Sequence, residues 1–229
     1  MDDMKNVVFE DLGVAAYREV WQMQEHILEE LKQAKKSGVP RDGHLLFVEH
    51  TPVYTLGKSG SEANMLIDSI QLRAKHAEFI KVDRGGDITF HGPGQLVAYP
   101  IVDLEQFKLG VKEYVHGLEE VVIRTIRFYG IKGERLEGAT GVWIDTGTSH
   151  ARKICAIGVK CSGYVTMHGF ALNVNTDLNY FSYINPCGFV DKGVTSIAKE
   201  IGRMVDMEEV KSLVKQQFAD IFSMNFSEV

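Results

Sequence analysis

The apolar runs of this chain are short, and their order is incompatible with regular winding of strands and helices. An amphipathic segment of helical period, residues 14–36, is followed by three runs of strand length, 45–49, 79–82 and 95–102, before the next helical segment, 111–129. Three more strand-length runs, 141–145, 153–159 and 168–174, separate that segment from the last helical one, 207–222. A doubly wound parallel sheet needs a helix between successive strands, so the pattern predicts an α/β fold of α+β character, a mixed sheet flanked by helices. Tyr17, Trp21, Ile27, Leu28 and Leu31 form the buried stripe of the first helix, with Gly38 past its end. Tyr114, Val115, Leu118, Val122 and Ile126 form that of the second, which Gly130 ends. The polar span 146–150 has the length of a hairpin loop. No repeat, low-complexity tract or linker appears, so residues 1–229 read as one domain, with a break near Met204 that sets off a small C-terminal helical element, 204–229. The segment 1–6 has no assigned role.

With 229 residues, 45% of them hydrophobic, the chain can bury a sizeable core without staples. Its three cysteines are an odd number, and Met1 is followed by Asp2 and Asp3 rather than by a basic, apolar leader, which predicts a cytoplasmic protein. No apolar run approaches the roughly 20 residues of a membrane span. A formal net charge of −6 argues against nucleic acid as a partner. An acidic protein partner would need a local basic patch, for which Arg84, Arg152, Lys153 and Lys160 are candidates.

Chemistry concentrates in three places. The stretch from Arg84 to Gln95 holds four glycines and a proline within twelve positions, so its backbone must approach something closely, with Arg84, Thr89 and His91 around it. No Gly-Lys-Ser/Thr closes the stretch, so it is not a phosphate loop, and a tight Gly-Pro-Gly hairpin is its plain alternative. In Lys153-Ile-Cys-Ala-Ile-Gly158, strand alternation sets Lys153 and Cys155 on one face. In Asn185-Pro-Cys-Gly188, Cys187 sits in a sharp turn, and a nearby ammonium would favour its thiolate; an inert core cysteine or an exposed strand-end lysine is the plainer reading of each. Cys155, Cys161, His150 and His168 lack the spacing of a metal site. A papain-like triad of Cys187 with His91 or His168 stays open, without its usual cysteine-centred signature.

Together, Arg84-Gly-Gly-Asp-Ile-Thr-Phe-His-Gly-Pro-Gly-Gln95, Lys153-Ile-Cys-Ala-Ile-Gly158, His168-Gly-Phe-Ala-Leu-Asn-Val-Asn175 and Ile184-Asn-Pro-Cys-Gly188 resemble the octanoyltransferase family, also called lipoate-protein ligase B. The resemblance runs from the first strand to about Ile201. It implies the fold of biotin and lipoate protein ligases, and transfer of octanoyl from acyl carrier protein to a lysine of lipoyl domains, in 2-oxoacid dehydrogenase complexes and the glycine cleavage H protein. It further implies Cys187 as the residue that carries the acyl thioester and Lys153 as the one that lowers its pKa. The residues implied to line the acyl substrate are Arg84, Gly85, Gly86, Asp87, Ile88, Thr89, Phe90 and His91, with Ala156, Ile157, Gly158, Gly169, Phe170 and Ala171. No cofactor or metal is implied, and a monomer is expected. Phe90 stands where tyrosine is frequent in the family, and the loop 145–152 is variable there.

The chemistry suits that implication. Thioester exchange is nearly neutral in free energy and needs no ATP, after which amide formation runs downhill. Small residues such as Gly85, Gly86, Ala156, Gly158 and Gly169 are expected to clear an apolar slot. An ATP-dependent ligase of the same fold, a cysteine hydrolase and a non-catalytic acyl-binding module remain the alternatives.

Overall fold

The computed structural model describes residues 4–185 and 192–228. Strand β1 (Lys5–Ala15) runs into helix α1 (Tyr17–Lys36), followed by β2 (Gly43–His50), β3 (Val53–Leu56), the short helix α2 (Ser69–Ala74), β4 (Glu78–Lys81), β5 (Ile88–His91) and β6 (Gln95–Ile101). Helix α3 (Val111–Arg127) leads to β7 (Glu134–Leu136), β8 (Ala139–Ile144), β9 (Arg152–Ser162) and β10 (Val165–Asn173). The last elements are β11 (Gly193–Val194), α4 (Ile197–Ile201), α5 (Met207–Phe222) and β12 (Met224–Glu228). The main sheet has the order β12-β1-β2-β6-β10-β9-β8-β7, with β11 added beside β9, and a small sheet has the order β4-β3-β5. β1 pairs in parallel with β2 and β12, whereas β2, β6, β10, β9, β8 and β7 are successively antiparallel, which makes the main sheet mixed as the run order predicted.

Helices cover both faces of this sheet, which explains why β2 reads as a continuous apolar run and not as an alternation. Its period of two still sorts the side chains: Leu45 and Phe47 join the core under α3 and α5, while Leu46 and Val48 join the core under α1. α1 contributes Val20, Ile27, Leu28 and Leu31 to that second core. Each such fully buried side chain stabilises the fold by about 1.5–3 kcal/mol before chain entropy is counted. α5 begins where Asp206 accepts a hydrogen bond from the Glu208 backbone N–H at 3.0 Å, with Glu208 and Glu209 in its first turn, and it ends at Ser223 with φ 52°. Its boundaries match the expected 207–222.

Three differences from the sequence reading share one cause, pairing between segments distant in the chain. The first helix starts at Tyr17 and not at residue 14, because Val14 and Ala15 still pair with Glu49 and His50 of β2. Lys5 and Asn6, to which the sequence assigned no role, open β1, and the Asn225 side chain donates to Asn6 Oδ1 at 3.1 Å. Phe218, Phe222 and Met224 lie in the main core, and β12 extends the main sheet beyond β1, so the segment after Met204 shares the core of the rest. No helix among the described residues is long and apolar enough to cross a membrane.

Candidate active site

A cavity of about 380 Å³ opens where β5 and the loop before it face β6, β10, β9 and β8. Exposed Gly138, Thr140 and Gly193 border its mouth, while Tyr17, His91 and Tyr99, all buried, close the opposite end. Arg84, Gly86, Asp87, Ile88, Thr89 and His91 line one wall. Ala156, Ile157 and Gly158 of β9 and Gly169, Phe170 and Ala171 of β10 line the other, with Lys153 toward the mouth. Two of the residues expected here do not line it. The Gly85 backbone N–H is spent on Val159 O at 3.0 Å, and Phe90 turns away to stack on Tyr180, centroids 4.4 Å apart, in a satellite core. Cys187, with Pro186 and Gly188, lies outside the described residues; Lys192, Gly193 and Val194, which follow it, line the cavity.

Lys153 is held at both backbone and side chain. It pairs with Trp143 on β8 and with Val194 on β11, and its carbonyl accepts from Thr195 N–H at 2.9 Å. Its Nζ lies 4.7 Å from the centroid of the Trp143 ring, a cation–π contact that keeps the ammonium inside the cavity. Gly141 lets the neighbouring strand approach: a Cβ there would stand 2.5 Å from Cys155 O, while the Lys153 stem, 3.5 Å from it at Cε, would be in ordinary contact. The register of β8 and β9 shifts between Val142 and Trp143, beside Lys153. Cys155 itself packs fully buried in the main core and does not line the cavity, and burial pushes its thiol above the ordinary range against the opposing pull of Lys153.

The glycine-rich loop is held by its own side chains. Arg84 Nη2 donates to Thr55 O at 2.8 Å, to Thr55 Oγ1 at 2.9 Å and to Asp87 O at 2.8 Å. His91 Nδ1 donates to Gln95 Oε1 at 2.8 Å, which leaves Nε2 to accept from Thr55 Oγ1 at 3.3 Å. Gln95 Nε2 donates to Asn173 Oδ1 at 2.9 Å, and Asn173 Nδ2 donates to Thr195 O at 3.0 Å. A continuous relay therefore runs from the Arg84 loop to the residue that holds Lys153 O. Burial first, then the neighbouring Arg84 guanidinium, hold the His91 imidazole neutral. With both ring nitrogens engaged, His91 orders the loop and is not the base that a cysteine hydrolase would need; it and Arg84 are not the free ligand groups the sequence suggested.

Nor do the four expected cations form a basic surface. Arg84 is buried, Lys160 is paired with Asp83, and Arg152 is clamped by Glu200 and Asp145. Asp83 also accepts from His168 Nε2 at 3.0 Å, and that bond, with Lys160, holds the Asp83 carboxyl well below the ordinary carboxylate range. His168 occupies the left-handed region at φ 61°, a strained conformation for a buried non-glycine residue.

Backbone contact, rather than room for a ligand, explains two of the glycines. A Cβ on Gly158 would stand 2.8 Å from Gly85 O, and one on Gly169 only 2.1 Å from Ala98 O of the neighbouring strand. Gly169→Ala is therefore expected to destabilise the fold by about 2–4 kcal/mol, read as a lower denaturant midpoint, because backbone must move apart to admit the methyl group. A wild-type midpoint would show that β6 and β10 tolerate the separation. No group of three or more metal-ligating side chains occurs among the described residues.

Residues 16–219 match the lipoyl protein ligase A/B catalytic domain. An octanoyltransferase of Parabacteroides distasonis is 54% identical over 221 residues, covering 96% of this chain and all of that protein (100%). Among solved structures, lipoate-protein ligase A bound with ATP superposes with a TM-score of 0.69 at 14% identity, over 99% of this chain and 88% of the other. A biotin protein ligase from Aquifex aeolicus, in complex with biotin and ATP, gives 0.53 at 14% identity, over 96% and 71%. At such identities the structural matches establish the fold, that of lipoate and biotin protein ligases. The domain match and the full-length relative carry the assignment further: the chain belongs to the octanoyltransferase family of lipoyl protein ligase A/B catalytic domains.

Proposed function

We infer that the protein transfers an octanoyl group from octanoyl-acyl carrier protein to a lysine of apo lipoyl domains through a thioester on Cys187, and that Lys153 activates the thiol. The observation that supports it best is a mostly apolar cavity with Lys153 at its mouth, in a chain 54% identical to an octanoyltransferase over 96% of its length. In the first step the Cys187 thiolate attacks the donor's carbonyl carbon, and the carrier thiol leaves with a proton that Lys153 supplies. In the second, the acceptor amine attacks the acyl-cysteine, gives a proton to the now neutral Lys153, and expels the thiolate. The acyl tail lies inward along Ile157, Phe170 and Ala171, away from the mouth where both protein substrates arrive. Lipoyl domains of 2-oxoacid dehydrogenases and the glycine cleavage H protein are the acceptors, the chain acts as a monomeric single catalytic domain in the cytoplasm, and no cofactor takes part.

The test omits ATP. Octanoyl-carrier, apo lipoyl domain and the protein alone are expected to yield the octanoyl amide on the acceptor lysine, read by intact mass. A product that forms only from free octanoate plus ATP would assign the chain to adenylate-forming ligase chemistry instead.

A further inference from the structure

The closed end of the cavity is built differently from its walls. There His50 Nδ1 donates to Ala15 O at 3.1 Å; a carbonyl only accepts, so His50 Nε2 must accept, and Tyr99 O–H donates to it at 2.8 Å. Tyr99 and Tyr17 are neighbours at this end, both lining the cavity. The Tyr17 ring stacks on His91 with centroids 5.8 Å apart and lies 5.0 Å from His50. Burial lowers the pKa of His50 to about 4, so it stays neutral and the direction of this chain of bonds is fixed. Tyr17, His50 and Tyr99 are at most 3% exposed, and Tyr17 is the first residue of α1, whose stripe packs on the sheet. The wall is therefore rigid, polar and backed by core. His168, which lines the cavity 6.4 Å from Tyr99, adds an Nδ1 without a hydrogen-bond partner among the described residues.

We propose that this wall of Tyr17 and Tyr99, backed by His50, is the stop that fixes the length of the acyl chain. The inference rests on the octanoyl-transfer reading and deepens it by naming the residues that select the substrate. Ala98 pairs with Phe170 and Phe170 with Ile157, so Tyr99 and Lys153 lie at opposite corners of the strands that line the cavity. At a strand rise of about 3.3 Å and a spacing of about 4.8 Å, their backbones are roughly 19 Å apart. Both side chains project into that span, and an extended eight-carbon chain on bonds of about 1.5 Å is roughly 9 Å long. A longer tail would have to press methylenes against hydroxyls and imidazoles whose hydrogen bonds it cannot replace.

Binding of free octanoic, decanoic and dodecanoic acid to the full chain, by calorimetry, reads this wall without the chemistry. The wild type is expected to bind dodecanoic acid at least about tenfold more weakly than octanoic acid. Tyr17→Ala should narrow that gap about tenfold, whereas Tyr17→Phe, which keeps the ring, should preserve it. Tyr17→Leu, a milder truncation, is the substitute if the alanine variant does not fold. Equal wild-type affinity for the acids, no binding of any of them, or a wild-type ranking in both folded truncations would overturn the proposal. If the acids rank as expected but the ATP-free transfer fails, the transfer reading falls and the stop stands; if transfer proceeds while the truncations leave the ranking unchanged, the reverse holds.

Discussion

Cys187→Ala is expected to abolish octanoyl transfer, with kcat/KM falling by at least about 10³-fold and no acyl adduct on the protein. In the proposed route the sulfur is not an accessory to the transition state but the atom that carries the substrate between two proteins, so no other group can compensate. Cys155 and Cys161 are poor substitutes: burial raises the pKa of both thiols, and neither lines the cavity. A variant that still moves octanoyl to the acceptor would mean direct attack of the lysine amine on the carrier thioester. Thermal unfolding of the variant should match that of the wild type, which separates loss of the nucleophile from loss of fold.

Lys153→Ala is expected to slow adduct formation by about 10²-fold at pH 7 and by much less near pH 9. The direction follows from the role. An ammonium beside the thiol favours the thiolate, so the wild type holds its nucleophile at neutral pH; without the cation the thiol returns toward its ordinary value of about 8.5, and alkali restores the thiolate. Lys153→Arg sharpens the test, because a guanidinium supplies charge but cannot take a proton. It should keep the Cys187 thiolate, and so much of the first step with the carrier leaving as thiolate, but lose the second, so that acyl-enzyme accumulates. An alanine variant equally slow at every pH would give Lys153 a task other than thiolate stabilisation. Trp143 shares the site: its ring holds the ammonium, while its indole N–H is spent on Ala139 O at 2.8 Å.

Local chemistry made much of this molecule legible from its residues. The apolar stripes of α1 and α3, the span of α5 and the hairpin between β8 and β9 are local signals, and each appears where the pattern placed it. β1, β3 and β12 were not legible. β1 is mostly half-exposed and is held by partners about 40 and 220 residues away, a pairing that no window of sequence contains. β3 and β5 form a second sheet with only four residues each, too short for alternation to show.

The site divides in the same way. The Arg84 loop and the Lys153 strand were visible because glycine clusters and a lysine beside a cysteine are unusual within a few residues. What those residues do was less visible: Arg84 and His91 face inward to each other's loop, and Gly158 and Gly169 yield to backbone. Tyr17, His50, Tyr99, Gln95 and Asn173 carried no local signal. A tyrosine in a helix stripe and a histidine at a strand end look like core, and only the fold brings them to one end of one cavity. Trp143 was equally hidden, since its partner Lys153 lies across a hairpin.

The most direct measurement of the central claim is the intact mass of the wild-type protein after exposure to octanoyl-carrier without ATP. One octanoyl group should appear, removable by hydroxylamine, located on the peptide containing Cys187, and lost to an apo lipoyl domain on its addition. A protein that stays unmodified while the acceptor is octanoylated, or an adduct that never reaches the acceptor, would contradict a cysteine-borne transfer.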